Sequence, residues 1–315
     1  AEMSDAAGTS WLDVKKRDWS DALLAATGLD RSHMPRLVEG SEISGKLKDR
    51  LAAKWGMSKG VIIAGGGGDN AASAIGVGVV NAGDAFVSLG TSGVLFAASN
   101  SYQPDPASAV HTFCHALPDT WHQMGVILAA TDAMNWFSRI LNSSAEEMTN
   151  NLGSLQAPSN TLFLPYLGGE RTPHNDAVIR ASFINLDHNT DQKKMIRAVI
   201  EGVTFAIRDS FDALSSTGTN IERLIAVGGG AKSEYWVQAI ATSLGKPISI
   251  PVSGDFGGAF GAARLGMIAH GSNRSDVAVF PKIEKIIEPV MPLHDDFMSA
   301  LNSYRATYKA LKSIT

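Results

Sequence analysis

Cysteine is almost missing from this chain: Cys114 is the only one among 315 residues. No intramolecular disulfide can form, and the reading is a protein of a reducing, cytoplasmic compartment. Long apolar runs are missing as well. None approaches the ~20 residues that cross a bilayer, and the weakly polar stretch Ala71–Val80 is interrupted by glycines. Positive charge is not in excess: 27 Lys and Arg stand against 31 Asp and Glu, for a net charge of −4. That balance argues against the basic face a nucleic-acid binder needs. The first residues, AEMSDAAG, have neither the basic nor the apolar region of a signal peptide. The chain starts at Ala1 and not at Met, which reads as a fragment or processed piece of something longer. Apolar residues are plentiful, at 44%, enough for one large or two medium domains with a sizeable core.

The densest signal is VIIAGGGGDN, Val61–Asn70, followed by SLGTSG, Ser88–Gly93. Glycines let backbone approach backbone or phosphate closely, because no Cβ intervenes. Asp69, at the end of the run, has two readings. It is either a general base taking a proton from a substrate hydroxyl that attacks a γ-phosphoryl group, or the N-cap of the helix that follows. Asn70 is either a polyol contact or a turn residue. Gly90, Thr91, Ser92 and Gly93 read either as a phosphate-cradling hairpin or as a plain hairpin turn.

Coarse element order follows from periodicity and punctuation. The first 55 residues read as helical and polar, with Ser20 capping a helix that Gly28 stops. Val61–Ala64 is a strand and Asn70–Val80 a close-packed helix. Ala85–Leu89, Val94–Ala98 and His122–Leu128 are strands, and Ala129–Leu141 a helix. Asn142 to about Asp187 reads as irregular. Met195, Val199, Val203, Ile207, Phe211 and Leu214 mark Gln192–Leu214 as the clearest helix. Leu224–Val227 is a strand, Ser233–Leu244 a helix, Ile248–Pro251 a strand, Gly257–Ala269 and Asp295–Ser313 helices. The order strand, strand, strand, helix, strand, helix, strand, helix matches the ribonuclease-H-like unit of actin-type ATPases. Function must still be argued from the site.

Other motifs are weaker. Gly228-Gly229-Gly230-Ala231-Lys232-Ser233 lies between a strand and a helix, where nucleotides meet backbone, but Ser233 stands where a dinucleotide fingerprint has its third glycine. Gly40–Lys46 resembles a phosphate loop, yet Leu47 replaces the required Ser or Thr. His111, Cys114, His115 and His122 are spaced closely enough to raise a metal question, though their alternation reads as strand and connector. In Gly168–His174, Arg171 either meets a phosphate or pairs with Glu170.

Four segments together resemble the FGGY carbohydrate kinases, and within them those acting on D-xylulose: Ser4–Ser20, Gly65–Gly78, Pro165–Asp176 and Ala226–Gln238. A family signature is also partly kept in Ser182–Gly202, where Asn185 and Lys194 depart from it. The resemblance runs the length of the chain. It implies an α/β, actin-like ATPase fold and ATP-dependent phosphorylation of D-xylulose to D-xylulose 5-phosphate, with Mg²⁺. By position it implies Asp69 as catalytic base and Asn70 as a sugar contact; as a carboxylate, Asp69 is also a candidate ligand for the metal. Gly90, Thr91, Ser92, Gly229, Gly230, Ala231, Ser233 and Glu234 become the nucleotide-binding set. Another sugar, such as ribulose or gluconate, or a non-catalytic nucleotide-binding module, is the alternative. Sugar and ATP are the implied partners, with neither nucleic acid nor membrane, and a homodimer is compatible with the resemblance.

Members of this family begin with a D-x-G-T phosphate loop that this sequence does not contain. Residues 1–80 therefore read as the C-terminal part of the first, sugar-binding domain, and 81–315 as the second, nucleotide-binding domain. The expectation is that the chain alone has little kinase activity, because phosphoryl transfer depends on holding both reactants.

Overall fold

The computed structural model describes residues 1–252 and 257–314. Its centre is a seven-stranded sheet of β1 (Asp84–Leu89), β2 (Gly93–Ser99), β3 (His111–Cys114), β4 (Trp121–Ile127), β5 (Arg223–Val227), β6 (Ile248–Pro251) and β7 (Ile283–Ile287). The spatial order is β7-β6-β5-β1-β2-β4-β3. β5 runs parallel to both β1 and β6, while β1, β2, β4 and β3 are successively antiparallel, with β3 at the edge. The three strands read from the sequence, now β1, β2 and β4, and the parallel strands β5 and β6 thus fall where an actin-type ATPase unit has them, and the expected fold class is borne out.

Strand alternation divides the core. Ala85, Val87 and Leu89 point to one face and Phe86 to the other. On the first face lie α3 (Thr131–Leu141), α4 (Gln192–Ser216), α5 (Glu234–Leu244) and α7 (His294–Lys312). α4 buries Val199, Val203, Ile207 and Leu214 completely, as its four-residue steps predict, and Asp191 caps it by accepting from the Lys194 amide at 2.8 Å. On the second face Phe86, Phe96, Met124 and Ile225 meet Ala74 and Val77 of α2 (Asp69–Val77). α6 (Gly258–Ala269) packs on the outside of α2.

Three sequence expectations need correction. The first 55 residues are not chiefly helical. They hold α1 (Met3–Ala6), a hairpin pairing Leu12–Asp13 with Asp18–Trp19, two further six-residue helices, and Ile43–Lys46 paired with Ile62–Ala64. Two-residue strands carry too little alternation to be read. The stretch after Asn142 is not irregular throughout: Ala145–Asn150 is a helix, and Leu162–Leu164 pairs with Ser182–Ile184. The missed signal was the capping box of Ser144 and Glu147. β7 also went unread, because its charged residues belong to a half-exposed sheet edge.

The N-terminal segment is fastened to the sheet edge. Arg17 donates to the carbonyls of Thr120 and Leu117 and pairs with Glu39 at 2.7 Å. The Trp121 indole donates to the Val14 carbonyl at 2.9 Å.

Candidate active site

The four-glycine run is a folded turn in which the amides of Gly65, Gly66 and Gly68 are already occupied. Gly65 donates to the Glu42 carbonyl and Gly66 to the Gly40 carbonyl. Gly68 donates to Glu2 Oε1 and Ser4 Oγ, each at 3.0 Å. A Cβ at Gly65 would lie 2.3 Å from the Glu39 carbonyl oxygen, and one at Gly40 would lie 2.3 Å from that of Gly66. These glycines serve close backbone packing. Their product is the position of α2.

Gly68 is the N-cap of α2, and Asp69 is its first helical residue. The N-cap reading of Asp69 is therefore wrong. Its carboxylate is exposed, and Oδ1 accepts from the Asn70 amide at 2.7 Å and side chain at 3.0 Å. A carboxylate in the first turn suits the positive end of the helix dipole. The other end of α2 is gripped by buried Arg264 of α6. Its Nη1 donates to the carbonyls of Ile75, Gly76 and Val279 at 2.9, 3.0 and 2.9 Å.

Asn70, Ser73 and Val77, along one side of α2, line a cavity of about 1050 Å³. Its other walls are Phe86 and Ser88 of β1, Ala226 and Val227 of β5, Gly228, Gly229, Ala231 and Lys232 of the following segment, Glu234 and Val237 of α5, and the ends of β6 and β7. The volume matches a nucleotide-sized ligand. Apolar side chains form about half of the wall, and glycine backbone reaches it directly at Gly228 and Gly229. Gly228 takes φ +89°, and a Cβ there would lie 2.8 Å from the Leu89 carbonyl oxygen. The glycine segment thus rests on the end of β1, where the hairpin Gly90-Thr91-Ser92 begins.

That hairpin is anchored from behind. The Gly90 carbonyl accepts from the Thr131 amide and hydroxyl, and the Thr91 carbonyl accepts from the amides of Ala130 and Asp132. Thr91 and Ser92 are exposed.

The structure brings Asn70, Gly229, Ala231 and Glu234 together on the cavity wall. Gly230 is buried behind it, where a Cβ would lie 2.8 Å from the Leu89 Cβ. Ser233 is spent as the N-cap of α5, accepting from the Trp236 amide at 3.4 Å. Gly90, Thr91 and Ser92 follow Ser88 on the hairpin and are not part of the cavity lining. Ser73 and Lys285 were missed. Lys285 lies in β7 and pairs with Glu234 at 2.5 Å, both on the cavity wall. No motif flagged it, because the contact joins residues far apart in the chain.

The remaining motifs resolve as structure. Phe96 stacks on Phe86 at 4.9 Å and on His122 at 4.4 Å, and His115 meets Phe96 edge-on. Burial pushes His115 down to about 4 and lowers His122 as well, so both rings are neutral core. Among the described residues no group of three His, Cys, Asp or Glu is placed to hold a metal ion. Glu170 is 3% exposed. It accepts from the backbone amides of Leu128 and Arg171 at 3.0 and 2.7 Å, and burial pushes its carboxyl up to about 8. Ile43–Lys46 of the phosphate-loop look-alike is a strand.

Family models match most of the chain. The model described as "FGGY family of carbohydrate kinases, C-terminal domain" matches residues 85–270, and the corresponding N-terminal domain matches residues 1–76. The chain belongs to the FGGY family of carbohydrate kinases.

The chain is 45% identical over 291 residues to the "Xylulose kinase" of Escherichia coli strain K12, covering 90% of this chain and 59% of that protein. A "xyloylose kinase" crystal structure from Brucella ovis is 55% identical, with TM-score 0.98, covering 100% of this chain and 66% of that one. A gluconate kinase from Lactobacillus acidophilus is 25% identical with TM-score 0.91, covering 99% of this chain and 64% of that one. The chain thus spans about six-tenths of the FGGY proteins it matches. Among the described residues no helix is long and apolar enough to cross a membrane.

Proposed function

We propose that this chain carries the catalytic base and the nucleotide site of an ATP-dependent sugar kinase that converts D-xylulose to D-xylulose 5-phosphate. The observation that carries this reading is the single helix α2, which has Asp69 exposed at its first position and Asn70, Ser73 and Val77 on the wall of the 1050 Å³ cavity. In the proposed reaction Asp69 accepts the proton of the sugar hydroxyl as its oxygen attacks the γ-phosphorus, and ADP leaves. Asn70 holds the sugar. The hairpin at 90–92 meets the phosphates, and the glycines at 228–230 let backbone approach the adenosine.

Mg²⁺ travelling with the nucleotide would neutralise phosphate charge. Such an ion needs only one or two carboxylates and waters, and the exposed carboxylate of Asp69 is of that kind. The names borne by relatives at 45% and 55% identity support D-xylulose over gluconate, for which the likeness is 25%.

The test is ADP release by the intact enzyme containing this chain, over a panel of D-xylulose, ribulose and gluconate. D-Xylulose is expected to lead in kcat/KM by about tenfold or more, as sugar hydroxyls are read by hydrogen bonds. A lead for another sugar overturns the substrate. ATP binding with no turnover on any sugar overturns the kinase reading and leaves a nucleotide-binding module.

A further inference from the structure

Glu2 lies 66 residues before Gly68 in sequence, yet its carboxylate accepts the Gly68 amide at 3.0 Å. The carboxylate is buried, 8% exposed as a residue. It also accepts from the Ser4 amide at 2.9 Å, the Ser4 hydroxyl at 2.6 Å and the Asp5 amide at 2.5 Å. Ser4 Oγ accepts the Gly68 amide as well, at 3.0 Å. Gly68 is therefore held by two oxygens that hold each other.

Burying a carboxylate is costly, and its pKa is raised by that burial in spite of its donors. A stability role alone does not explain placing the charge here. A neutral N-cap such as Ser or Asn would satisfy α1 equally well. What only an acceptor with several lone pairs can do is cap α1 and take a third-party amide at once. That amide belongs to the residue immediately before Asp69.

The segment carrying Glu2 is itself fixed. Met3 donates to the Val38 carbonyl and Val38 to that of Ala1, both at 3.0 Å. Gly65 and Gly66 are tied to Glu42 and Gly40 in the same region. The turn is thus anchored at its start by residues 40–42 and at its end by Glu2 and Ser4.

We infer that Glu2 is a positioning residue for the phosphoryl-transfer base: through the Gly68 amide it sets where α2 begins and so where the Asp69 carboxylate stands. This rests on the function proposed above. Glu2 touches neither the cavity wall nor Asp69, so its effect belongs to the chemical step and not to ATP binding.

The experiment compares Glu2→Gln and Ser4→Ala with the unsubstituted protein by two readouts. In the first, amide hydrogen exchange is followed in this chain. Exchange at Gly68 and the first turn of α2 is expected to rise about tenfold or more in Glu2→Gln, and less in Ser4→Ala, with the interior of α2 unchanged. In the second, the intact enzyme is assayed with D-xylulose. kcat is expected to fall about ten- to a hundredfold in Glu2→Gln, because a displacement near 1 Å has that effect, with KM for ATP within about twofold. A folded variant with unchanged Gly68 exchange overturns the proposal. So does a fall in thermal stability with kcat intact. If Glu2→Gln does not fold, Ser4→Ala decides by the same two readouts. Absence of sugar phosphorylation in the unsubstituted enzyme defeats the function itself and is seen before any variant is compared. The exchange readout tests the Glu2–Gly68 link without reference to activity.

Discussion

Gly261 of α6 sits so close to Ala72 of α2 that a Cβ on it would lie 1.7 Å from the Ala72 carbonyl oxygen and 3.0 Å from the Gly76 amide nitrogen. An alanine inside a helix ordinarily gains up to about 1 kcal/mol over glycine. Here the helices must part, so Gly261→Ala is expected to reverse that sign and cost about 2 kcal/mol or more in urea denaturation. A neutral or stabilising result would mean that the two helices do not pack as described.

Asp69→Asn keeps the size of the side chain and removes its basicity. Sugar phosphorylation by the intact enzyme is expected to fall by about 10²-fold or more. Nucleotide affinity, measured by titration with a non-hydrolysable ATP analogue, should stay within about twofold, because Asp69 is not on the cavity wall. Preserved turnover would remove the base assignment.

Two neighbouring glycines separate folding from binding. Gly228 has φ +89° and the Leu89 carbonyl carbon 2.9 Å from a would-be Cβ. Gly228→Ala is therefore expected to lose about 1–3 kcal/mol of stability as well as nucleotide affinity. Gly229 lines the same cavity but has nothing within 4 Å of its would-be Cβ. Gly229→Ala should leave stability within about 0.5 kcal/mol while weakening ATP-analogue binding. Unchanged affinity in Gly229→Ala would place the adenosine elsewhere.

Glu170 makes a pH prediction. Burial raises its carboxyl from 4.5 to about 8, and Oε2 has no hydrogen-bond partner. The folded state therefore holds this proton more tightly than the unfolded state. Its contribution is complete below about pH 4.5 and is lost as pH rises through about 8. The stability of Glu170→Gln relative to the parent should thus rise between pH 5 and 9, by at most about 5 kcal/mol at 1.36 kcal/mol per pK unit. A difference independent of pH would show that Glu170 is ionised throughout.

Much of this arrangement was legible in the sequence, for identifiable reasons. α4 could be read because Val199, Val203, Ile207 and Leu214 all face one core. The strands β1, β2, β5 and β6 could be read because each is short, apolar and bounded by glycine, proline or polar turns. Asp69 and the glycines at 228–230 stood out because glycine runs are rare and purposeful. What escaped were contacts between distant segments. Glu2 is an ordinary acid in sequence and becomes an anchor only when Gly68 is folded onto it. Lys285 gains its place beside Glu234 only through the antiparallel pairing of β7 with β6. Ser233 drew attention for its place in a glycine-rich motif, and in the structure its hydroxyl also starts a helix.

α2 spans nine residues, a rod of about 13 Å at 1.5 Å per residue. It bears the proposed base at its tip and part of the proposed nucleotide wall along its flank, and Arg264 clamps its foot. A rod of that kind cannot bend to serve the two reactants separately. Any rotation that makes room beside Ser73 swings the Asp69 carboxylate through the same angle, because one helical turn joins them. Substitutions selected for a different ligand fit along this flank will therefore also re-aim the Asp69 carboxylate. A rigid-body shift of α2 should change both properties together, whereas loosening confined to its first turn should move the Asp69 carboxylate alone.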